Sequence, residues 1–347
     1  MHWSQLPGWD QDELQDAWPA LVRSCAVLQT RPEWSAVCAA ALNALITTAG
    51  DARTFFESYF NPYAVIELSG SRRRDTGLIT AYYEPLLRGA REASAQFTVP
   101  LYAPPPDLIT VELDSLYPEL KGKRVRGRLD GNRVVPYFSR AELHGDPKLR
   151  GNELVWLANA MDAFLLEIQG SGRVQLPAGE TIRLRYADEN GQPYHSIGRY
   201  LVERGELSLA AADLAGIRNW AAQHPDRLEE LLDANPSVVF FHEEPITNPE
   251  DGPQGALGVP LTSGRSIAVD RSFLPLGAPV FLATRLPGNT PLQRLVLAQD
   301  TGGAIRGAVR ADLFWGSGAA AAEQAGRVRQ SGRLWLLWPK TAVLPAH

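Results

Sequence analysis

Apolar positions recur at helical spacing within residues 10–60, through Leu14, Trp18, Leu21, Val22, Cys25 and Leu28. Pro32 interrupts the period, and Trp34, Val37, Cys38, Ala41, Leu42 and Leu45 resume it. Asp51 is the predicted cap of a further short helix containing Phe55, Phe56 and Tyr59. From Tyr63 the pattern turns β-branched and aromatic, and residues 64–68 and 78–83 read as strands. Pro104, Pro105 and Pro106 break the chain after Tyr102 and mark a junction. Residues 124–137, from Arg124 to Tyr137, have the pattern of a hairpin turning at Asp130-Gly131-Asn132. Residues 165–169 run into Gly170-Ser171-Gly172 and, with residues 174–176 and 182–186, read as a second β-rich region. Residues 208–234 return to helix through Leu209, Ala212, Leu214, Ile217 and Trp220. A third strand block starts at residues 238–241 and continues at 267–269, 280–282, 295–297 and 334–338.

This pattern predicts a mainly β protein with peripheral helices. Strand blocks near the two chain ends flank a middle block. One domain is then inserted into another, with a ligand cleft expected where they join.

Composition narrows the classes. Of 347 residues, 45% are hydrophobic, enough for a substantial core. The 30 glycines and 26 prolines favour short strands and many turns. The formal net charge is -5 and the one basic run is Arg72-Arg73-Arg74, which argues against nucleic acid as a partner. No stretch approaches the ~18 apolar residues of a membrane-spanning helix. The first residues, Met1 to Pro7, lack the basic and apolar regions of a secretion signal, so the protein is cytoplasmic or its signal is removed. Cys25 and Cys38 either staple two neighbouring helices or serve as two small buried hydrophobes. Neither has the basic surroundings of a nucleophile.

The densest chemistry lies at residues 298–318. The apolar run Leu295-Val296-Leu297 leads to Asp300, a glycine-rich turn follows, and Asp312 sits beside Phe314 and Trp315. An unshifted Asp, with a pKa near ~3.9, is less than roughly 1% protonated at about pH 6. Burial against aromatics disfavours the charged form and supplies the upward shift that a proton donor needs. Gly302 and Gly303 lack the lysine and hydroxyl of a phosphate loop, and read as a tight turn or as room for a bulky substrate. Tyr82-Tyr83-Glu84-Pro85 closes a strand with aromatics that stack on sugar rings or form an ordinary core pair. Gln169-Gly170-Ser171-Gly172-Arg173 offers amide, hydroxyl and guanidinium groups, or is simply a polar loop. His242-Glu243-Glu244 has no second histidine four residues on, and His195 reads as a surface or core residue, so no metal is expected. Asp-Thr-Gly occurs at Asp75 and at Asp300, as in paired-aspartate proteases, but Asp75 follows three arginines and the repeat reads as chance.

Taken in order, several segments resemble the membrane-bound lytic transglycosylase A family, which cuts bacterial peptidoglycan. They are Thr80-Ala81-Tyr82-Tyr83-Glu84-Pro85, Leu166-Glu167-Ile168-Gln169-Gly170-Ser171-Gly172, Tyr186-Ala187-Asp188, Tyr194-His195-Ser196-Ile197-Gly198 and Asn235-Pro236-Ser237. A further matching segment is a three-Asp barrel region, whose acids are Asp270 in Ala268-Val269-Asp270-Arg271-Ser272, Asp300 and Asp312. The resemblance implies a double-psi β-barrel from residues 1–89 and 235–347, with N-terminal helices. Residues 90–234 would form an inserted β-rich domain, and glycan would lie in a groove between the two. It implies Asp312 as the catalytic acid/base and Asp300 as its catalytic support, with Asp270 structural. It assigns substrate binding to Thr80, Tyr82, Tyr83, Glu84, Gln169, Gly170, Ser171, Gly172, Ser196, Gly302 and Gly303. No cofactor and no metal are implied. The expected protein is a periplasmic monomer acting on peptidoglycan glycan strands at the outer membrane. Family members carry a lipoprotein leader and an anchoring cysteine, neither of which this sequence displays.

Such an enzyme needs one acid, because the substrate carries its own nucleophile. The acid protonates the bridging oxygen, and the muramic 6-hydroxyl closes on the anomeric carbon to leave a 1,6-anhydro sugar. Three alternatives stand behind this reading. A glycan hydrolase needs a second carboxylate, for which Glu84 is the candidate. A binding module needs no catalytic acid. An aspartic protease needs Asp75.

Overall fold

The computed structural model describes residues 1–69, 72–120, 123, 125–144 and 149–345. The chain divides into two units, one formed by Met1–Glu84 with Asn248–His347 and the other by Pro85–Thr247. The expected boundaries were 89/90 and 234/235, and the proline run at Pro104 falls inside the second unit.

In the first unit the predicted helical period forms α1 (Trp18–Leu28), α2 (Pro32–Asn43) and α3 (Ala49–Tyr59). Proline in the first turn starts α1 and α2, where its missing N–H costs nothing. The cap of α3 is Thr48, not Asp51. Asp51 is the third helical residue and completes a reciprocal capping box with Thr48. Four donors from Thr47 and Thr48 hold the Asp51 carboxyl below the ordinary range, led by the Thr47 amide. Leu42 and Leu45 leave the apolar face, and Leu45 is 85% exposed just beyond the end of α2.

Seven strands follow: β1 (Phe60–Ala64), β2 (Gly77–Glu84), β3 (Ser266–Val269), β4 (Pro279–Arg285), β5 (Pro291–Asp300), β6 (Ala311–Ser317) and β7 (Arg329–Pro339). The strand expected at 64–68 is broken after Ala64, and Glu67–Ser69 pairs separately with Arg72–Arg74. The sheet order is β1-β7-β4-β5-β3-β6-β2, and a further pairing of β7 with β2 closes all but β1 into a ring. β7 is long enough to serve three neighbours, β2, β4 and β1, along its length. Ile79, Ile267, Val269, Leu295, Leu297, Ala311 and Leu313 all belong to one buried apolar cluster. An alanine-rich helix, α4 (Gly318–Ala325), follows β6 and had no periodic signal.

The three N-terminal helices share this core. Trp9, Phe56, Phe60, Trp34 and Trp338 pack edge-on or tilted among themselves and against Phe281. Cys25 and Cys38 are bonded to each other, tying α1 to α2, and both are fully buried. They are thus a staple rather than separate hydrophobes. With 13 residues of separation, chain-entropy reasoning gives a contribution of about 3 kcal/mol. Urea unfolding of Cys25→Ser/Cys38→Ser, compared with the native protein, should show a loss of that order.

The second unit holds a six-stranded sheet, with Thr181–Glu189 and Ser171–Gln175 near one edge and Leu86–Ala90 and Glu153–Leu157 near the other. The predicted hairpin forms from Arg126–Asp130 and Arg133–Pro136 around Gly131, whose φ is 61°. Its expected first residue, Arg124, lies outside the described residues. Residues 165–169 are not a strand. They end the helix Ala160–Gln169, which Gly170 stops in the left-handed conformation at φ 75°. A short apolar run is ambiguous between the two states, and here burial of Met161, Ala163, Phe164 and Leu166 selects helix. Arg140 joins Glu167 through two hydrogen bonds of 3.0 and 2.8 Å and donates to Asn235 O, fixing this helix to the chain near Pro236.

Candidate active site

β2, β6, β3 and β5 lie side by side in the ring, and their register places Thr80 opposite Asp312, Asp312 opposite Ala268, and Ala268 opposite Asp300. The two acids are therefore two strand spacings apart, roughly 10 Å at Cα. Neighbouring residues Ile79, Ala311, Leu313, Ile267 and Val269 point into the core. Alternation then sends Thr80, Tyr82 and Asp312 to the opposite face.

On that face Thr80 Oγ1 donates a hydrogen bond to Asp312 Oδ1. Tyr82, two residues on, donates its hydroxyl to Asp300 Oδ2 at 2.7 Å, and its ring lies 5.4 Å from that of Phe314. The other Asp300 oxygen accepts the amides of Ala256 and Thr301, each at 2.9 Å. Three donors on one carboxyl hold it in place.

Asp312 has the opposite surroundings. Burial pushes its pKa above the ordinary carboxylate value and the Asp300 charge pushes the same way, while the Thr80 hydroxyl and the Arg310 guanidinium pull it down. The Tyr82 hydroxyl is raised well above its usual value, by burial first and then by the Asp300 and Asp312 charges, so it stays a donor. Burial lowers the Arg310 guanidinium, which is anchored by the Leu78 and Ala311 carbonyls. The arrangement is an acid biased towards its neutral form beside a carboxyl fixed by hydrogen bonds, the environment of a proton donor.

Asp270 is buried and accepts the amides of Ser272 and Gly307 at 3.1 and 2.9 Å. Burial raises its pKa, but these bonds and the Arg306 charge outweigh it, and the carboxyl lies below the ordinary value. Gly302 is tight against its own chain, since a Cβ there would lie 2.8 Å from Ile305 Cγ1. Gly303 is exposed with open space above it.

Other expected binding residues sit elsewhere. Tyr83 is not presented for stacking but buried against Ala321 and Ala325. Glu84 is wholly buried, with Ser317 Oγ donating to it at 2.7 Å, so it offers no surface to a ligand or an attacking water. Asp75 is exposed and faces Arg333 at 3.3 Å. In the second unit, Gln169 and Gly170 end a helix, while Ser171 and Gly172 begin a strand and are buried. A Cβ on Gly172 would lie 2.3 Å from Leu166 Cδ1 and 3.0 Å from Pro85 Cγ, so packing favours glycine there. Ser196 caps the helix Ile197–Glu203 by accepting the Arg199 amide. His144, Glu229 and Asp233 are the one metal-like grouping among the described residues. The two imidazole nitrogens lie 2.9 and 3.3 Å from the Glu229 and Asp233 carboxylates.

The Ala256 amide is a site component that sequence reasoning missed, because a backbone donor from a distant loop leaves no mark in residue identity. Arg310 was legible in principle, two residues before Asp312 on the same strand edge.

Two family models match the chain, the MltA specific insert domain over residues 78–242 and the 3D domain over residues 265–338. The membrane-bound lytic murein transglycosylase A of Escherichia coli (strain K12) is 31% identical over 284 residues, covering 80% of this chain and 69% of that protein. The crystal structure of MltA from Neisseria gonorrhoeae in its monoclinic form is 37% identical with a TM-score of 0.85, covering 98% of this chain and 92% of that one. E. coli MltA with bound chitohexaose is 26% identical with a TM-score of 0.74, covering 96% and 90%.

Proposed function

This chain belongs to the membrane-bound lytic murein transglycosylase A family, and we propose that it is a peptidoglycan lytic transglycosylase with Asp312 as its single acid/base. The observation that carries the assignment of Asp312 is its pairing with Asp300. One carboxyl is desolvated and biased towards its neutral form, and the other is fixed by three donors. The chitohexaose bound by the E. coli relative supports a glycan as the ligand.

Neutral Asp312 gives its proton to the oxygen bridging N-acetylmuramic acid and N-acetylglucosamine. The bond from the anomeric carbon to that oxygen breaks, and the N-acetylglucosamine side leaves as an alcohol. The Asp312 carboxylate then accepts the proton of the muramic 6-hydroxyl as that oxygen bonds to the anomeric carbon. The acid is regenerated, no water enters, and the muramic residue ends as the 1,6-anhydro sugar. Positive charge develops at the anomeric carbon between the two bond changes, and in this reading the Asp300 carboxylate stabilises it. Thr80 orients the acid through its hydroxyl.

The closed strand ring, with its parallel β2–β6 and β3–β5 pairings among antiparallel ones, supports a double-psi β-barrel. The Cys25–Cys38 disulfide and the family membership support a place in the cell envelope, where disulfides persist. The reading assigns a monomer working on glycan strands.

Digestion of purified peptidoglycan in heavy-oxygen water tests the route. The released muropeptides should carry no heavy oxygen at the new muramic end. Label at that carbon would mean a water nucleophile and a hydrolase.

A further inference from the structure

We infer that Arg23 is a positioning residue for the Asp300 carboxylate, acting from α1 through the loop that donates the Ala256 amide. The inference rests on the reading of Asp300 and Asp312 given above. The loop runs from Asp251 to Thr262 and folds on itself like a hairpin. Gly252 N donates to Leu261 O at 3.0 Å, Leu261 N to Pro253 O at 2.9 Å, and Gly255 N to Val259 O at 3.0 Å.

Arg23 grips both feet of this hairpin. Its Nη2 bonds Asp251 Oδ1 on one side. Its Nη1 bonds Thr262 Oγ1 at 2.9 Å and Pro260 O at 3.4 Å on the other. The planar guanidinium fork suits a clamp of this kind, and a lysine has one point charge to offer in its place. At the tip, Ala256 N donates to Asp300 Oδ1 and Leu257 N donates to Gln299 O at 3.0 Å. The tip is pressed against the strand end so closely that a Cβ on Gly255 would lie 2.4 Å from Gln299 O. A Cβ on Gly252 would lie 2.6 Å from Phe314 Cε1.

The same helical face holds the strand as well. Gln299 Nε2 donates to Ala20 O at 2.8 Å and to Ser24 Oγ at 2.9 Å, and Ser266 Oγ donates to Gln299 Oε1 at 2.6 Å. Ala20, Arg23 and Ser24 lie three and four residues apart, on one side of α1. One turn of helix therefore locks both the residue preceding Asp300 and the loop that hydrogen-bonds Asp300. Charged and titratable groups around the two acids include Tyr82 on β2, Arg310 just before β6, Arg329 on β7 beside Arg310, and the Arg23–Asp251 pair behind the loop.

The test compares Arg23→Gln, Asp251→Asn and Gly255→Ala with native protein, using kcat, KM and the pH profile of glycan cleavage. Gly255→Ala displaces the loop tip without touching the clamp, so it decides the question if an Arg23 variant fails to fold. The expected result is a kcat loss of roughly tenfold to 10²-fold with KM within about twofold. The alkaline limb should also move to lower pH, because a displaced Asp300 charge no longer holds the Asp312 proton. Arg23→Lys should recover part of the rate. Native kcat and an unmoved limb in folded variants overturn the inference, and so does a kcat loss with an unmoved limb. Asp312→Asn is assayed alongside. If it retains activity, the reading of the site has failed. If it is dead while the Arg23 and Gly255 variants are native, only the role of Arg23 has.

Discussion

Asp312→Asn is expected to lower turnover by roughly 10²–10⁴-fold while glycan binding and the fold persist. The amide keeps the shape of the acid and can still accept the Thr80 hydroxyl, but it has no proton to give. Stability should move the other way from activity. The folded-state pKa of Asp312 is raised, chiefly by burial, so ionising it costs the native state. That cost is absent below the unfolded-state pKa and complete once pH has risen through the folded-state value. The asparagine variant escapes it. Its thermal midpoint at neutral pH should equal or exceed the native one, with the advantage shrinking as pH falls towards the ordinary carboxylate range. A variant that is inactive because it is unfolded would show the reverse.

The second large effect concerns Asp300. Asp300→Asn removes a charge that disfavours ionisation of Asp312, so Asp312 should lose its proton at lower pH. The alkaline limb of kcat then shifts down. It does not fall to the position of a free carboxylate, because burial, the leading cause, remains. On the proposed mechanism the same substitution deletes the anion that stabilises the developing positive charge, and a preorganised group of this type is worth about 10²-fold in kcat. KM should change little. A pH profile identical to the native one, measured on soluble glycan release, would refute the coupling of the two acids.

Some of this site is legible in residue order and some is not. Both acids end or interrupt apolar strand patterns, and a carboxylate beside Phe314 and Trp315 is conspicuous in the sequence alone. Their separation by a single alanine strand position is not. It arises because β3 and β5 pair in parallel across a long connection, which local pattern does not encode. Tyr82 and Tyr83 illustrate the same limit. Adjacent aromatics on a strand point to opposite faces, so one binds Asp300 and the other fills a pocket against α4. Glu84, read as a possible second carboxylate, is carried into the interior by the continuation of β2. The N-terminal helices were visible as a period, but their cap was misplaced by three residues because Thr48 and Asp51 satisfy each other reciprocally. The Ala256 amide and the Arg23 clamp are separated from their targets by 44 and 228 positions respectively, and no window of sequence contains both partners.

Mass spectrometry of the soluble products from purified peptidoglycan tests the central claim most directly, with Asp312→Asn as the paired sample. Native protein should release fragments ending in 1,6-anhydro-muramic acid, and the variant should release them at least about 10²-fold more slowly. Reducing muramic ends from the native protein, or anhydro ends undiminished in the variant, would contradict the account.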